Sequence, residues 1–394
     1  MLEVQNYLLT HSLNDLSRDH GVYARLSTQN VYKFSLNYDQ LEVTDSDLLS
    51  QDCRGLILAI PMGYAPLANL DTIVGETEVM AFGMRRFFNY GQGSAAAVDM
   101  DDPETSFQEK LDGSCIIVYW DRFMLKWCAA TRSVPDGDLV MDGFGEQTFS
   151  SLFWKAFAET GGDKNELYPG WTYVFELTTP DNQIVVRCTD YRVHLLATRH
   201  KDSENESDPK EWAGRLCVPL VPRFRFGSVA EMVDFVSSRD GSNHEGLVVC
   251  DKNFNRIKVK SPAYLALSKI RDSVAKSPRA VMELILLEKE DDAMPLVPPH
   301  IQEKILEMKD NLRVILHNME QEYVELYHED RKTFALAIQA HKDAWMAYMM
   351  QRWVGKCSSA KDYIHSQRNK INGGWNDGFL DTLIEKCAQV KSNR

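Results

Sequence analysis

Residues 109–120 read Glu109-Lys110-Leu111-Asp112-Gly113-Ser114 and then Cys115-Ile116-Ile117-Val118-Tyr119-Trp120. The second half is rich in β-branched and aromatic residues at strand length, which predicts a buried strand. The first half is a polar turn with one lysine at the mouth of that strand. At roughly 6% usage per residue type, Lys110, Asp112, Gly113 and Ser114 in this spacing arise by chance in about half a per cent of chains this long. Taken alone, the segment also suits an exposed turn that happens to hold a lysine. Its company along the chain decides between the two.

Outward from this segment, strand signals recur at 124–131, 172–177, 183–187, 193–198, 246–251 and 256–261, and Asp121 and Arg122 predict a hairpin. Residues 148–159 and 229–238 repeat apolar side chains at three and four positions, which predicts helices packed on a sheet. Residues 201–210 are polar and aperiodic, as in an exposed loop. After Ser261, β-type alternation gives way to helical periodicity at 301–327 and 332–353; three prolines within 288–300 and Asn372-Gly373-Gly374 interrupt it. The fold class expected is α+β over residues 1–261 and all-helical over 262–394. No internal repeat or low-complexity tract is present.

A length of 394 residues favours two domains, and 44% apolar with 26% charged residues is ordinary for a folded, soluble chain. The N-terminal segment lacks a basic start before an apolar run, so no secretory signal is expected. No run of about eighteen uninterrupted apolar residues predicts a membrane span. Cysteines 53, 115, 128, 188, 217, 250, 357 and 387 form no CxxC pair, which suits reduced thiols in the cytoplasm. A formal charge of -13 argues against indiscriminate coating of nucleic acid. Between Phe254 and Ala280, however, seven basic residues face one acidic residue, Asp272, so a local positive strip can still grip phosphates.

The lysine turn has Asp52-Cys53-Arg54-Gly55 upstream, and downstream Phe175-Glu176, Glu245-Gly246 and Ile257-Lys258-Val259-Lys260. A lysine amine attacks phosphorus only when neutral, and an ordinary ammonium, with a pKa of about 10.4, is almost wholly charged at pH 7. Arg54, Lys258 and Lys260, with a metal ion on a nucleotide, are expected to disfavour the charge on Lys110 and to stabilise an α-phosphate as pyrophosphate leaves. Lys258 and Lys260 are two apart on a strand and so share a face, with Ile257 and Val259 packed behind. Glu176, between apolar neighbours, suits a ribose or metal contact better than unpaired burial. Glu245 is assigned to the metal or the lysine.

In this order the motifs resemble the nucleotidyltransferase superfamily of ATP-dependent ligases and RNA capping enzymes. Phe34 to Tyr38, Met84 to Asn89, Pro180 to Val185, Lys258 to Tyr264 and Asp330 to Ala335 narrow the resemblance to the tRNA-repair RNA ligase family of T-even bacteriophages. That resemblance implies a nucleotidyltransferase domain of ATP-grasp-like antiparallel sheets with flanking helices, followed by a helical domain that selects RNA, plausibly a broken tRNA. Lys110 is implied as nucleophile, with Glu176, Glu245, Lys258, Lys260 and Tyr264 in catalysis. Around ATP it implies Arg54, Arg86, Phe88, Glu109, Gly113 and Arg132 beside Lys110, Glu176, Lys258 and Lys260. Asp291 and Asp292 fall where the family has a paired acidic metal site, and a solvated acidic linker fits them equally. Two positions depart from the family: Arg86 replaces a lysine, and Leu36 replaces a tyrosine and cannot offer a hydroxyl.

The implied cofactors are ATP and Mg²⁺, and the implied partners are RNA and a polynucleotide kinase/phosphatase that prepares its ends. The implied location is the cytoplasm, the host's if the chain is phage-encoded. A DNA ligase or capping guanylyltransferase shares the lysine motif but usually carries arginine at the position of Ser114 and continues into a β-barrel. An inactive RNA-binding or nucleotide-sensing module is the remaining alternative. Trp345, Tyr348 and Trp353 sit at helical spacing and are expected in a core rather than against bases.

Overall fold

The computed structural model describes residues 1–394 except 40–42, 68, 139, 142–145, 204, 289, 291–293, 295–296, 298, 341–344, 369–374 and 393–394. It divides into two compact units, Met1–Leu267 and Ser268–Arg394. The expected boundary at 261/262 falls just before the helix Pro262–Lys276, which starts in the first unit.

The first unit carries β1 (Val22–Leu26), β2 (Lys33–Tyr38), β3 (Leu56–Ala59), β4 (Glu78–Ala81), β5 (Phe88–Asn89), β6 (Ser106–Glu109), β7 (Ser114–Asp121), β8 (Lys126–Thr131), β9 (Trp171–Thr178), β10 (Arg192–His200), β11 (Arg223–Phe224), β12 (Gly246–Cys250) and β13 (Arg256–Lys260). They form three sheets, ordered β1-β2-β3-β4, β10-β9-β7-β8 and β11-β6-β12-β13-β5. Alternation explains the layering. In β3, Leu56 and Leu58 join the N-terminal helices Glu3–Leu8 and Leu13–His20 in one core, while Ile57 and Ala59 face the second sheet. In β7, Ile117 and Tyr119 meet that same interface, and Ile116 and Val118 turn to the helix Phe149–Glu159. The order is therefore helix, sheet, sheet, helix. The third sheet packs Phe107, Leu247, Val249 and Ile257 against Met232 and Val236 of the helix Val229–Ser238.

The expected hairpin is present: β7 and β8 pair antiparallel from Ile116↔Thr131 to Asp121↔Lys126. The strand expected at 183–187 is absent. There the amides of Val185 and Val186 donate to the Asp112 carboxylate at 2.7 Å each, so no ladder forms. The loop at 201–210 holds one deeply buried charge. Glu206, its side chain 5% exposed, binds Arg256 of β13 through both guanidinium nitrogens and Arg199 of β10 at 3.2 Å.

The second unit is built of helices, among them Pro278–Leu286, Pro299–Leu326, Arg331–Ala340, Met346–Trp353, Ala360–Ser366 and Asp377–Ser392. Its core includes Tyr348, with Trp345 and Trp353 packed against it, as the spacing predicts. The periodicity at 332–353 is two helices rather than one. Among the described residues no helix is long and apolar enough to cross a membrane, and all eight cysteines are free thiols.

Candidate active site

Lys110 lies where the chain leaves the third sheet for the second. Its amide donates to the Gly246 carbonyl at 2.9 Å, which extends the β6–β12 ladder by one residue. Gly246 pairs with Lys260 across β12 and β13, so the registers bring Lys110, Glu245 and Lys260 to one sheet end. The turn into β7 passes so close to β9 that a Cβ on Gly113 would lie 2.3 Å from the Leu177 carbonyl oxygen; only glycine fits. The Gly113 amide donates to Glu176 Oε1 at 3.1 Å.

Between these sheets opens a cleft of about 520 Å³ with Arg54, Lys110, Arg132, Glu176, Lys258 and Lys260 on its walls. Glu109 and Gly113 line it too. Behind Lys110, Glu245 is 4% exposed and accepts from two ammonium groups, Lys110 Nζ and Lys260 Nζ, each at 2.8 Å. The protein's own groups do not by themselves give Lys110 the depressed pKa expected with a metal ion on a nucleotide. Burial pulls the Lys110 pKa down, but Glu245, Glu176 and Asp112 outweigh it and hold the amine charged above its ordinary range. The lysine with a depressed pKa is Lys258, pushed down to about 8 by burial and then by Lys110, Lys260, Arg54 and Arg86. Burial raises Glu176 to about 7, with Lys110 opposing and Glu245 reinforcing the shift.

A scaffold of buried polar contacts holds this geometry. Tyr264, 3% exposed, donates through its hydroxyl to Asp112 Oδ1 at 2.7 Å, while Asp112 Oδ2 takes the two loop amides. Tyr264 is thus a support for the lysine turn and does not line the cleft. Asn182 donates to Ser114 Oγ at 3.1 Å and ties the same loop to the start of β7. His244, 2% exposed, contacts Glu109 Oε1 through Nδ1 at 2.5 Å.

Phe87, not Phe88, stands on the cleft wall. Arg54 lies 5.7 Å and Lys258 Nζ 5.5 Å from its ring centroid. Phe88 is 5% exposed and stacks under Arg86, which also covers Tyr38, both at 4.7 Å. Arg86 pairs with Asp45 at 2.6 Å and lines a neighbouring pocket with Phe88 instead of the cleft. Asp291 and Asp292 lie outside the described residues. Sequence reading missed Phe87, the Asp112–Tyr264 bond and His244; only His244, next to Glu245, had a local signal.

Glu176 offers carboxylate oxygen beside the cations Arg54, Lys110 and Lys258. With a nucleotide's own phosphates this is a donor set that fits Mg²⁺, a hard ion that takes one or two carboxylates. Among the described residues, Asp121 and Asp136 with Cys128 form an acidic group that is already filled: Lys33 Nζ sits 2.5 and 2.6 Å from the two acids.

A family model described as RNA ligase matches residues 52–264, more than half of the chain, a span that holds Arg54, Lys110, Glu176, Glu245, Lys258, Lys260 and Tyr264. The chain belongs to the RNA ligase family. Among curated relatives, an RNA ligase of Rhodothermus phage RM378 is 27% identical over 287 residues, which cover 60% of this chain. The match spans 64% of that phage ligase's own length. Among solved structures, an archaeal ATP-dependent RNA ligase is 13% identical, covers 67% of this chain and 63% of its own, and has a TM-score of 0.40. A Naegleria gruberi RNA ligase variant with ATP and Mn is 16% identical over 42% of this chain and 51% of its own, with a TM-score of 0.32.

Proposed function

We propose that this chain is an ATP-dependent RNA ligase that carries AMP on Lys110 and uses it to join a 5′-phosphate to a 3′-hydroxyl. The supporting observation is the Lys110 amine inside a cationic cleft, its proton held by a carboxylate that Lys260 shares. In the first step Nζ bonds to the α-phosphorus of ATP, the bond to the β-phosphate oxygen breaks, and pyrophosphate leaves. Nζ starts as an ammonium: before attack it gives one proton to Glu245 Oε2, already at hydrogen-bond distance, and the second proton, released as the N–P bond forms, leaves with pyrophosphate. Lys258 and Arg54 stabilise the charge on the phosphate oxygens. Glu176 would hold a Mg²⁺ ion, whose positive charge would offset the carboxylates' hold on the Lys110 proton. AMP then moves to an RNA 5′-phosphate, and a 3′-hydroxyl displaces it.

Residues 1–261 are assigned to adenylyl transfer and the helical region from 262 to the choice of RNA. The substrate class is RNA broken by cleavage, with tRNA repair as the setting and a polynucleotide kinase/phosphatase supplying the ends. Incubation with α-labelled ATP followed by a denaturing gel tests the first step: the wild type retains label and Lys110→Ala does not. An unlabelled wild type sinks the proposal. Label from GTP rather than ATP points to a capping-type enzyme, and sealing of DNA but not RNA ends points to a DNA ligase.

A further inference from the structure

Tyr38, the last residue of β2, is 5% exposed and lines the cleft. Its place follows from register. The β2–β3 ladder pairs Leu36 with Leu56, and the Gly55 amide donates to the Leu36 carbonyl at 2.9 Å. Two residues further along this antiparallel pair, Tyr38 comes opposite Arg54. Burial disfavours the charge on Arg54, whereas Cys115, Tyr38 and Glu176 favour it and leave its pKa raised, so the phenol oxygen stands within electrostatic reach of the guanidinium. Arg86 steadies the ring: it lies over it at 4.7 Å and is itself fixed by Asp45. Among the described residues nothing hydrogen-bonds the Tyr38 hydroxyl, and its oxygen is not sealed from solvent. A tyrosine this buried ordinarily finds a partner for its O–H.

We propose that Tyr38 is a nucleotide-binding residue whose hydroxyl donates to a phosphate oxygen of ATP. The inference rests on the ligase reading above and adds a contact to it. The cations that share this wall, Arg54 and Lys258, can only donate, so the acceptor for the phenol O–H comes from a ligand. Phosphate oxygens are acceptors, and they are the part of ATP that these cations attract. Leu36 shows why the hydroxyl matters in this chain. It lies two residues earlier on the same face of β2, is fully buried in the core of the N-terminal helices, and cannot offer the hydroxyl of the tyrosine it replaces. Tyr38 supplies one in its stead, from the strand end that reaches the cleft. The α-phosphate and the departing β- and γ-phosphates share this chemistry, so both are tested.

The test titrates ATP, AMP and adenosine calorimetrically into the full chain carrying Lys110→Ala, which cannot hold AMP covalently, with and without Tyr38→Phe. Phenylalanine keeps the ring under Arg86 and removes one oxygen that no described protein group uses, so the ligand-free melting temperature should not fall. ATP affinity should drop about tenfold, the loss of one hydrogen bond to a charged acceptor. Adenosine affinity should not change. A matching drop for AMP assigns the contact to the α-phosphate, and a drop for ATP alone assigns it to the phosphates that leave. Unchanged ATP affinity overturns the proposal. So does an equal loss for adenosine, which makes Tyr38 a contact of the nucleoside, or a lower ligand-free melting temperature, which shows that the protein itself uses the hydroxyl. Missing AMP attachment in the chain with Lys110 intact refutes the ligase reading instead, and is read separately from these affinities.

Discussion

Replacing Glu245 by glutamine should make the Lys110 amine more reactive while making the protein a poorer adenylyl acceptor. Glu245 Oε2 lies 2.8 Å from Lys110 Nζ and Oε1 lies 2.8 Å from Lys260 Nζ. A full unit charge at that distance is worth ~6 kcal/mol at an effective dielectric of about 20. Each lysine faces roughly half of that charge, and the amide of glutamine still accepts a hydrogen bond, so about 2–3 kcal/mol of preference for the charged amine should vanish. At fixed pH the neutral fraction of Lys110 then rises roughly 30- to 150-fold. The assay is the rate at which a small amine-acylating reagent modifies Lys110 in nucleotide-free protein between pH 7 and 10, read by peptide mass. AMP transfer from ATP should fall in the same variant, because the proton acceptor is gone. Amine reactivity unchanged or lowered in Glu245→Gln refutes the assignment of Glu245 as the group that keeps Lys110 protonated.

Three further outcomes follow from the buried groups. Glu176, raised to about 7, binds its proton more tightly folded than unfolded. Its contribution to stability is therefore present at low pH and lost as pH rises from the ordinary carboxylate range through about 7. Glu176→Gln should flatten that fall in the melting temperature of the nucleotide-free protein; an unchanged pH profile counts against it. Tyr264→Phe removes a buried hydroxyl from Asp112 and should cost about 1.5–3 kcal/mol in denaturant unfolding, with slower AMP transfer; unaltered stability contradicts the supporting role. Glu206→Gln leaves Arg199 and Arg256 without their buried counter-charge and should cost about 3–5 kcal/mol; a loss under 1 kcal/mol means the clamp is idle.

The strands and helices around the cleft were legible because each buries a periodic face: β7, β9, β10, β12, β13 and the helix Phe149–Glu159 all sit where alternation or helical spacing predicted them. What stayed hidden depends on partners far along the chain. Val185 and Val186 look like strand residues, but their amides go to Asp112, more than seventy positions away. Glu206 looks solvated in a polar loop until Arg199 and Arg256 close on it. Phe87 and Phe88 are indistinguishable in sequence. The pairing of Ile257 with Phe88 in the two-residue strand β5 fixes which ring is buried and which faces the cleft. The carboxylate that holds Lys110 charged among the protein's own groups was hidden for the same reason. Its strand-mate cations were visible, whereas the Glu245 contact spans 135 positions and follows from sheet register.

Three lysines line the cleft and compete for the nucleotide in the proposed reaction: Lys110 and Lys260, which share Glu245, and Lys258, whose pKa is pushed down to about 8. Peptide mapping by mass spectrometry after incubation with ATP and Mg²⁺ distinguishes them. One AMP on the peptide that contains Lys110, removed again by added pyrophosphate, is the result predicted. AMP on Lys258 or Lys260, or no covalent nucleotide at all, contradicts the account.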